Sequence, residues 1–298
     1  MIGGGVVMKI LVIGGTRFFG IPMIAKLLEE GHDVAVATRG NMKNPFAEQT
    51  ENIILDRTDP ESVRQAAGGR YFDVIIDKVA YSSNDVRAVL ENVRCGKYIQ
   101  MSTCSVYTEC REGIMESEFE PQTYELKWQG RTEDYTETKR QAERAAYEFM
   151  AASDCVFVRY PIVLGLHDYT NRLRFYVEHV MRESPMYVDD PDFGMSFIHE
   201  KEAGEFMAYL VSADVCGAFN GSSYGFISPG EIIRYIESKT GKKAVLSGTG
   251  DYAPFNGLVS NESFDTGKAL SAGYRFSDLR DWIFDLTDSL IEQERAVN

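Results

Sequence analysis

The sequence has no apolar run approaching the roughly 18 residues that a membrane helix needs, so no transmembrane segment is expected. It has only five cysteines, Cys95, Cys104, Cys110, Cys155 and Cys216, with no CxxC pair and no Cys/His cluster at zinc-like spacing. That excludes a disulfide framework and a structural metal site, and points to reduced thiols in a cytoplasmic protein. Basic residues are also few, 31 Lys and Arg against 45 Asp and Glu, for a net charge of −14. Like charges repel at long range, so bulk binding to nucleic acid or to anionic membranes is disfavoured. The apolar stretch Met1 to Ile13 lacks the basic flank and small-residue cleavage site of a signal peptide. Met8 reads as a second natural start, with residues 1–7 an extension that the fold does not use. What the chain does have is core material: 44% hydrophobic residues and 12% aromatics exclude disorder. Its 298 residues suit one large domain or two ordinary ones.

Lys9–Ile13 is a β-branched run ending in Gly14-Gly15, which reads as a buried strand. Phe19–Glu30 has helical spacing, with Pro22 tolerated in the first turn and Gly31 stopping the helix. Further strands are expected at 33–38, 53–55, 74–76, 98–101 and 156–158. Helices are expected at 62–67, 84–93 and 133–152, the last after a long irregular stretch from Glu109 to Trp128. Continuous apolar strands alternating with helices indicate an α/β fold, a doubly wound parallel sheet covered on both faces. After Gly165 the pattern becomes mixed, with helices expected at 173–181, 229–240 and 277–294 and short strands at 197–199 and 218–220. The expected organisation is a dinucleotide-binding Rossmann domain over 8–165 and a smaller mixed substrate lobe over 166–298. Segments around 195–225 are expected to return to the first domain.

Gly14, Gly15, Thr16, Arg17, Phe18, Phe19 and Gly20 lie between the first strand and first helix. There a glycine loop lets backbone N–H groups approach a pyrophosphate at a helix N-terminus. Arg17 stands where the usual middle glycine would be. The second strand ends in Thr38 and Arg39, not in the acid that commonly bonds the adenosine ribose of NAD. Two guanidiniums, Arg17 and Arg39, and no carboxylate favour a 2′-phosphate, hence NADP(H), with NAD the alternative. The competing reading is that these arginines are solvated surface groups. Asp56, after the third strand, either bonds the adenine amino group or only caps the strand end.

Tyr135 and Lys139 are spaced to share one face of a helix. A nearby ammonium favours phenolate over a phenol whose pKa starts near 10, so this tyrosine is a candidate acid/base. The fifth strand delivers Thr103, Cys104 and Ser105 to the carboxyl edge, where ligands bind in such sheets. A hydroxyl there either bonds the reacting oxygen or makes a local turn.

These motifs together resemble the extended short-chain dehydrogenase/reductase family, the NAD(P)-dependent epimerases and dehydratases. Gly14 to Gly20 corresponds to its glycine fingerprint, Thr103 with Val106-Tyr107 to its Ser/Thr…Val-Tyr, and Tyr135 and Lys139 to its Tyr-x-x-x-Lys. Arg159 to Gly165, Phe197 to Ala203, Phe219-Asn220 and Asp265 to Ala269 resemble later landmarks in the family's order. The resemblance implies that Tyr135 is the acid/base, that Lys139 binds the nicotinamide ribose and tunes Tyr135, and that Thr103 orients the substrate oxygen. It implies that Val79, Ala80 and Pro161 lie along the cofactor. It also implies a homodimer through the helices at about 84–94 and 133–152, whose apolar faces could equally be buried on the sheet.

The departures matter. Sugar 4,6-dehydratases of the family carry Asp-Glu after the Thr; here Cys104 and Ser105 stand there, which argues against that dehydratase chemistry. The Arg that often holds a nucleotide diphosphate is replaced by Gly194-Met195-Ser196. Arg172, Arg174 and His199, with Cys104 and Ser105, are the candidate substrate contacts. The glycine loop also looks like an atypical branch that includes chloroplast stem-loop RNA-binding proteins. Three functions follow. The first is an epimerase/dehydratase-like enzyme acting by tyrosine-assisted hydride transfer on a sugar or nucleotide-sugar. The second is an NADP-dependent reductase or dehydrogenase of a smaller carbonyl compound. The third is a low-turnover dinucleotide-sensing or RNA-binding protein, against which the net charge and the retained Thr103/Tyr135/Lys139 set both weigh.

Overall fold

The computed structural model describes residues 6–297. Residues 1–5 of the expected N-terminal extension lie outside the described residues; Val6 and Val7 are exposed. The first half runs β1 (Lys9–Ile13), α1 (Gly20–Glu29), β2 (Asp33–Thr38), β3 (Glu51–Ile54), α2 (Pro60–Ala67), β4 (Tyr71–Asp77), α3 (Ser83–Leu90), β5 (Arg94–Thr103), α4 (Tyr135–Ala146) and β6 (Cys155–Tyr160). The second half runs β7 (Ile162–Leu164), α5 (Arg172–Arg182), β8 (Pro185–Tyr187), β9 (Phe197–His199), α6 (Glu200–Ser212), β10 (Gly217–Asn220), α7 (Pro229–Thr240), β11 (Val245–Leu246), β12 (Asp251–Tyr252), α8 (Gly267–Ser271) and α9 (Ile283–Val297).

Seven strands form one parallel sheet in the order β10-β6-β5-β4-β1-β2-β3. Strand alternation splits the core. Ile10 and Val12 face α1 and α6, whereas Leu11 and Ile13 face the α2–α4 layer with Val86, Val89, Ala142 and Ala145. The apolar faces of α3 and α4 are therefore spent on the sheet. The strand order reverses between β1 and β4, which opens a crevice at their carboxyl ends.

Although it follows the lobe segments in sequence, β10 pairs with β6 in the main sheet, Ala218 opposite Phe157. Ahead of it, α6 lies on α1 so closely that a Cβ on Gly204 would sit 2.5 Å from the Phe19 carbonyl oxygen. The remaining lobe has its own core, built from Leu173, Tyr176 and Val177 of α5, Ile232 and Ile236 of α7, and Ile283 and Leu290 of α9.

The largest differences from the sequence expectation are at the ends of two helices. The helix expected over 133–152 begins at Tyr135, because the Asp134 side chain accepts the Glu137 N–H at 2.9 Å as its cap. It closes at Ala146 in tightened turns, with the Phe149 and Met150 N–H groups both directed at the Ala146 carbonyl. The helix expected from Ser277 starts at Ile283, because Asp278 caps a short 3-10 turn through the Arg280 N–H.

Candidate active site

The glycine loop is shaped by close approaches that no side chain could share. Gly14 has φ +82°, and a Cβ there would lie 2.7 Å from Val79 Cγ1. A Cβ on Gly20 would lie 2.3 Å from the Gly15 carbonyl oxygen. This brings the N-terminus of α1 against the loop after β4, a cradle that fits a dinucleotide pyrophosphate. Thr16 is half-buried in the loop, and Phe19 is buried against Tyr160, ring centroids 5.8 Å apart. Phe18 adopts φ +53°, and its ring meets Tyr169 edge-on. Arg17, at the position of the missing glycine, lies exposed with its guanidinium 4.2 Å from the centre of the Tyr169 ring.

Beneath this loop stands Lys78, which the sequence reading passed over. It is nine-tenths buried, with its ammonium 4.0 Å from the centre of the Phe19 ring. Burial, with Arg17 adding to it, pushes its pKa down to about 8. Its sequence signal was an Asp77-Lys78 pair directly after the apolar run Val74-Ile75-Ile76.

At the end of β2, Thr38 Oγ1 accepts the Gly40 N–H at 3.2 Å, and Arg39 is exposed. Asp56 accepts both the N–H and the hydroxyl of Thr58, at 2.9 and 2.7 Å. Those bonds, with Arg39 nearby, hold its carboxyl below the usual range. Next to it, Arg57 is buried between Asp77 and Asp85 and donates to the Val79 carbonyl at 3.2 Å. That network, completed by the Tyr98 hydroxyl on Asp77 at 3.0 Å, fixes the course of Val79 and Ala80. Pro161, half-buried, follows β6 at the same sheet edge.

Lys139 is fully buried and donates to the Ala80 carbonyl at 2.7 Å and the Met101 carbonyl at 2.9 Å. Its ammonium, expected from the spacing to act on the Tyr135 phenol, is held instead by two carbonyls, one from the loop after β4 and one from β5. Burial pushes Lys139 down to about 8. Tyr135 opens α4, 45% exposed, with its hydroxyl within electrostatic reach of Thr103 at the end of β5. Burial raises the phenol above its ordinary range, while Thr103, Arg172 and Arg131 pull it back. Thr103 Oγ1 also accepts the Ser105 N–H at 3.1 Å, so the turn role and the site role coexist. Thr136 donates to the Ser105 carbonyl at 3.0 Å, which pins α4 to β5.

The other candidates are dispersed. Arg172 stands at the start of α5 within electrostatic reach of Tyr135. Arg174 bonds Gln293 of α9. His199 caps α6 through the Lys201 N–H at 3.2 Å, its ring 5.2 Å from that of Trp282, and burial lowers its pKa. The Cys104 thiol points into the core and donates to the Arg159 carbonyl at 3.3 Å, and burial raises it far above the ordinary thiol range. Two residues absent from the sequence reading, Tyr81 and Arg131, stack beside the site at 3.4 Å; an exposed loop arginine carries no sequence signal of that role.

Residues 10–93 match the NAD dependent epimerase/dehydratase family. The chloroplast stem-loop binding protein of 41 kDa b of Arabidopsis thaliana is 34% identical over 115 residues, 33% of this chain and only 30% of that protein. Among solved structures, the fold is similar to that of UDP-glucuronic acid 4-epimerase from Bacillus cereus in complex with UDP-glucuronic acid and NAD. That likeness has a TM-score of 0.73 and 18% identity, over 96% of this chain and 100% of that one. It is similar also to UDP-glucose 4-epimerase from Thermotoga maritima with UDP-glucose, with a TM-score of 0.72 and 17% identity over 97% and 100% of the two chains. A third likeness is to the UDP-glucose 4-epimerase of Thermus thermophilus in complex with NAD, with a TM-score of 0.68 and 18% identity over 95% and 99% of the two chains. The match to the NAD dependent epimerase/dehydratase family thus covers the segment that holds the glycine loop, and the epimerase structures share the fold of the whole chain.

Proposed function

We propose that the protein is an NAD(P)-dependent enzyme that oxidises and re-reduces a hydroxyl-bearing carbon of a sugar or nucleotide-sugar, with Tyr135 as acid/base. The observation that carries this reading is that the end of β5 and the start of α4 bring Thr103 and Tyr135 to one sheet edge, tied by the Thr136 hydroxyl on the Ser105 carbonyl, with Lys139 buried on the same helix. The epimerase neighbours, two of them NAD complexes, support it.

The cradle at Gly14 and Gly20 would hold the pyrophosphate, with Arg17 and Lys78 supplying positive charge, and Arg39 would reach a 2′-phosphate. A bound nicotinamide dinucleotide supplies the hydride acceptor and donor. Thr103 holds the substrate oxygen next to Tyr135. Tyr135 Oη takes the hydroxyl proton as the carbon loses hydride, and returns it when hydride comes back. Lys139 is anchored on the Ala80 and Met101 carbonyls with no surface exposed, so its remaining N–H would meet the nicotinamide ribose only after a local shift uncovers it. The acid and base pair for water elimination is missing at Cys104 and Ser105, and Cys104 is turned into the core, so epimerisation or simple redox chemistry is favoured over dehydration.

One observation favours the second reading, an NADP-dependent reductase of a smaller carbonyl compound. The Tyr135 phenol is protonated at neutral pH in the free protein, its pKa raised and not lowered from an ordinary value of about 10, and that is the form that donates to a carbonyl oxygen.

The test is native mass spectrometry of the purified protein, reading co-purified dinucleotide and a panel of sugar nucleotides, followed by turnover of Tyr135→Phe. The expected outcome is retained dinucleotide binding with turnover lowered roughly 100-fold or more, since only the proton-transferring oxygen is removed. Unchanged turnover would remove Tyr135 from the chemistry. Absence of any turnover in the unmodified protein would leave the binding role that the likeness to the stem-loop binding protein supports.

A further inference from the structure

The ammonium of Lys139 has no exposed surface, and the Ala80 and Met101 carbonyls take two of its N–H groups. Among the described residues no third acceptor bonds it; it faces the Tyr81 ring instead, 5.4 Å from the ring centre. The same ring carries the guanidinium of Arg131 at 3.4 Å, from the loop before α4. Exposure rises along this series: none at Lys139, partial at Tyr81, full solvent contact at Arg131. The three side chains therefore run in layers from the core outward, ammonium, ring and guanidinium.

The main chain at this point is anchored. The Tyr81 N–H donates to Asp85 at 2.9 Å, Asp85 meets Arg57 at 3.3 Å, and the neighbouring Ala80 carbonyl holds Lys139 itself. The Tyr81 side chain is freer. Its hydroxyl has no hydrogen-bond partner among the described residues, so packing and the two cations alone hold the ring. A stack with an exposed guanidinium shifts a population only about two- to fivefold, which makes Arg131 a latch that thermal motion can open.

We propose that the Tyr81 ring, latched by Arg131, covers Lys139 in the dinucleotide-free protein and turns aside on its own side-chain bonds to admit the nicotinamide ribose. Tyr81 is then a positioning residue that acts through Lys139. The identity of the incoming group rests on the function proposed above, whereas the covering of Lys139 is a property of the free protein. A cover that must open lowers the apparent affinity of the ligand by the fraction of time it stands open. Loosening the latch therefore tightens dinucleotide binding, even though it removes a positive charge close to an anionic ligand. A direct phosphate contact at Arg131 would act in the opposite direction.

The test uses the full-length protein, first free of dinucleotide. Its lysines are acetylated with acetic anhydride at pH 8 and each is followed by peptide mass spectrometry. In the unmodified protein, Lys139 is expected to label at least about tenfold more slowly than the exposed Lys127. Tyr81→Ala is expected to speed Lys139 labelling at least about tenfold and Arg131→Gln about two- to fivefold, while Tyr81→Phe, which keeps the ring, leaves it unchanged. Lys78, buried just after β4, reports on the fold: if Tyr81→Ala exposes it too, Arg131→Gln alone decides. Calorimetric titration with NADPH is then expected to give binding about two- to fivefold tighter in Arg131→Gln than in the unmodified protein. Lys139 labelling as fast as Lys127 in the unmodified protein, or unchanged by Arg131→Gln, overturns the cover. NADPH binding that Arg131→Gln weakens or leaves unchanged overturns its part in admitting the ribose. Failure of NADPH to bind any of these proteins, with labelling as expected, overturns the dinucleotide reading and leaves the cover standing.

Discussion

The guanidinium of Arg159 and the carboxylate of Glu143 form an ion pair with neither side chain exposed, 2.7 Å apart, joining β6 to α4. Ser102 of β5 completes the carboxylate's bonding. The other edge of Arg159 holds the Glu116 and Phe119 carbonyls, both at 2.9 Å, so one side chain secures the long loop that precedes α4. Glu143→Gln keeps the shape and removes the charge, leaving a buried cation uncompensated. The expected cost is about 3–5 kcal/mol in urea unfolding, with faster proteolysis within 109–128. A loss under about 1 kcal/mol would mean the pair is not what holds this junction.

Cofactor choice is tested at Arg39. Its exposed guanidinium beside Thr38 is expected to recognise a 2′-phosphate, so Arg39→Ala should weaken NADPH roughly tenfold or more and leave NADH unchanged in separate fluorescence titrations. Equal losses for both dinucleotides, or none, would remove the case for NADP.

Lys78 makes a prediction about pH. Its folded pKa, pushed down to about 8 by burial, lies below the 10.5 of an unfolded lysine. Between those values the unfolded chain binds more protons, so this group's contribution to stability rises with pH across the window; below about 8 its burial cost is fully present. Lys78→Met is therefore expected to stabilise the dinucleotide-free protein at pH 7 by up to about 3 kcal/mol, an advantage that shrinks towards pH 10. Urea midpoints of both proteins at pH 7 and 9.5 check the sign. An advantage that grew with pH would show that the ammonium is stabilised, not penalised, where it lies.

The parts of the fold that were legible share a property: their signal is local. β1, β2 and β4 are apolar runs and α1 has a 3.6-residue repeat, so each declares itself within a few residues. The short strands β8, β11 and β12, two or three residues each, have no period to read. The same limit applied at the site. Tyr135 and Lys139 were visible as a pair on one helix, but not the Ala80 and Met101 carbonyls that claim the lysine, because those come from a loop and a strand far away in sequence. Thr103 and Tyr135 meet because β5 ends and α4 begins at one sheet edge, which topology decides and spacing does not. Arg131 had no signal, since its partner Tyr81 lies in another crossover.

The late entry of β10 beside β6 has a consequence for how the protein is made. The main sheet lacks its last strand, and α1 lacks its covering helix, until residues 200–220 have left the ribosome. The nascent N-terminal half would emerge with the β1 face carrying Ile10 and Val12 only partly covered and β6 as an open parallel edge, the kind of surface that associates wrongly when it waits. A chain cut after β6 is therefore expected to aggregate where the full chain does not.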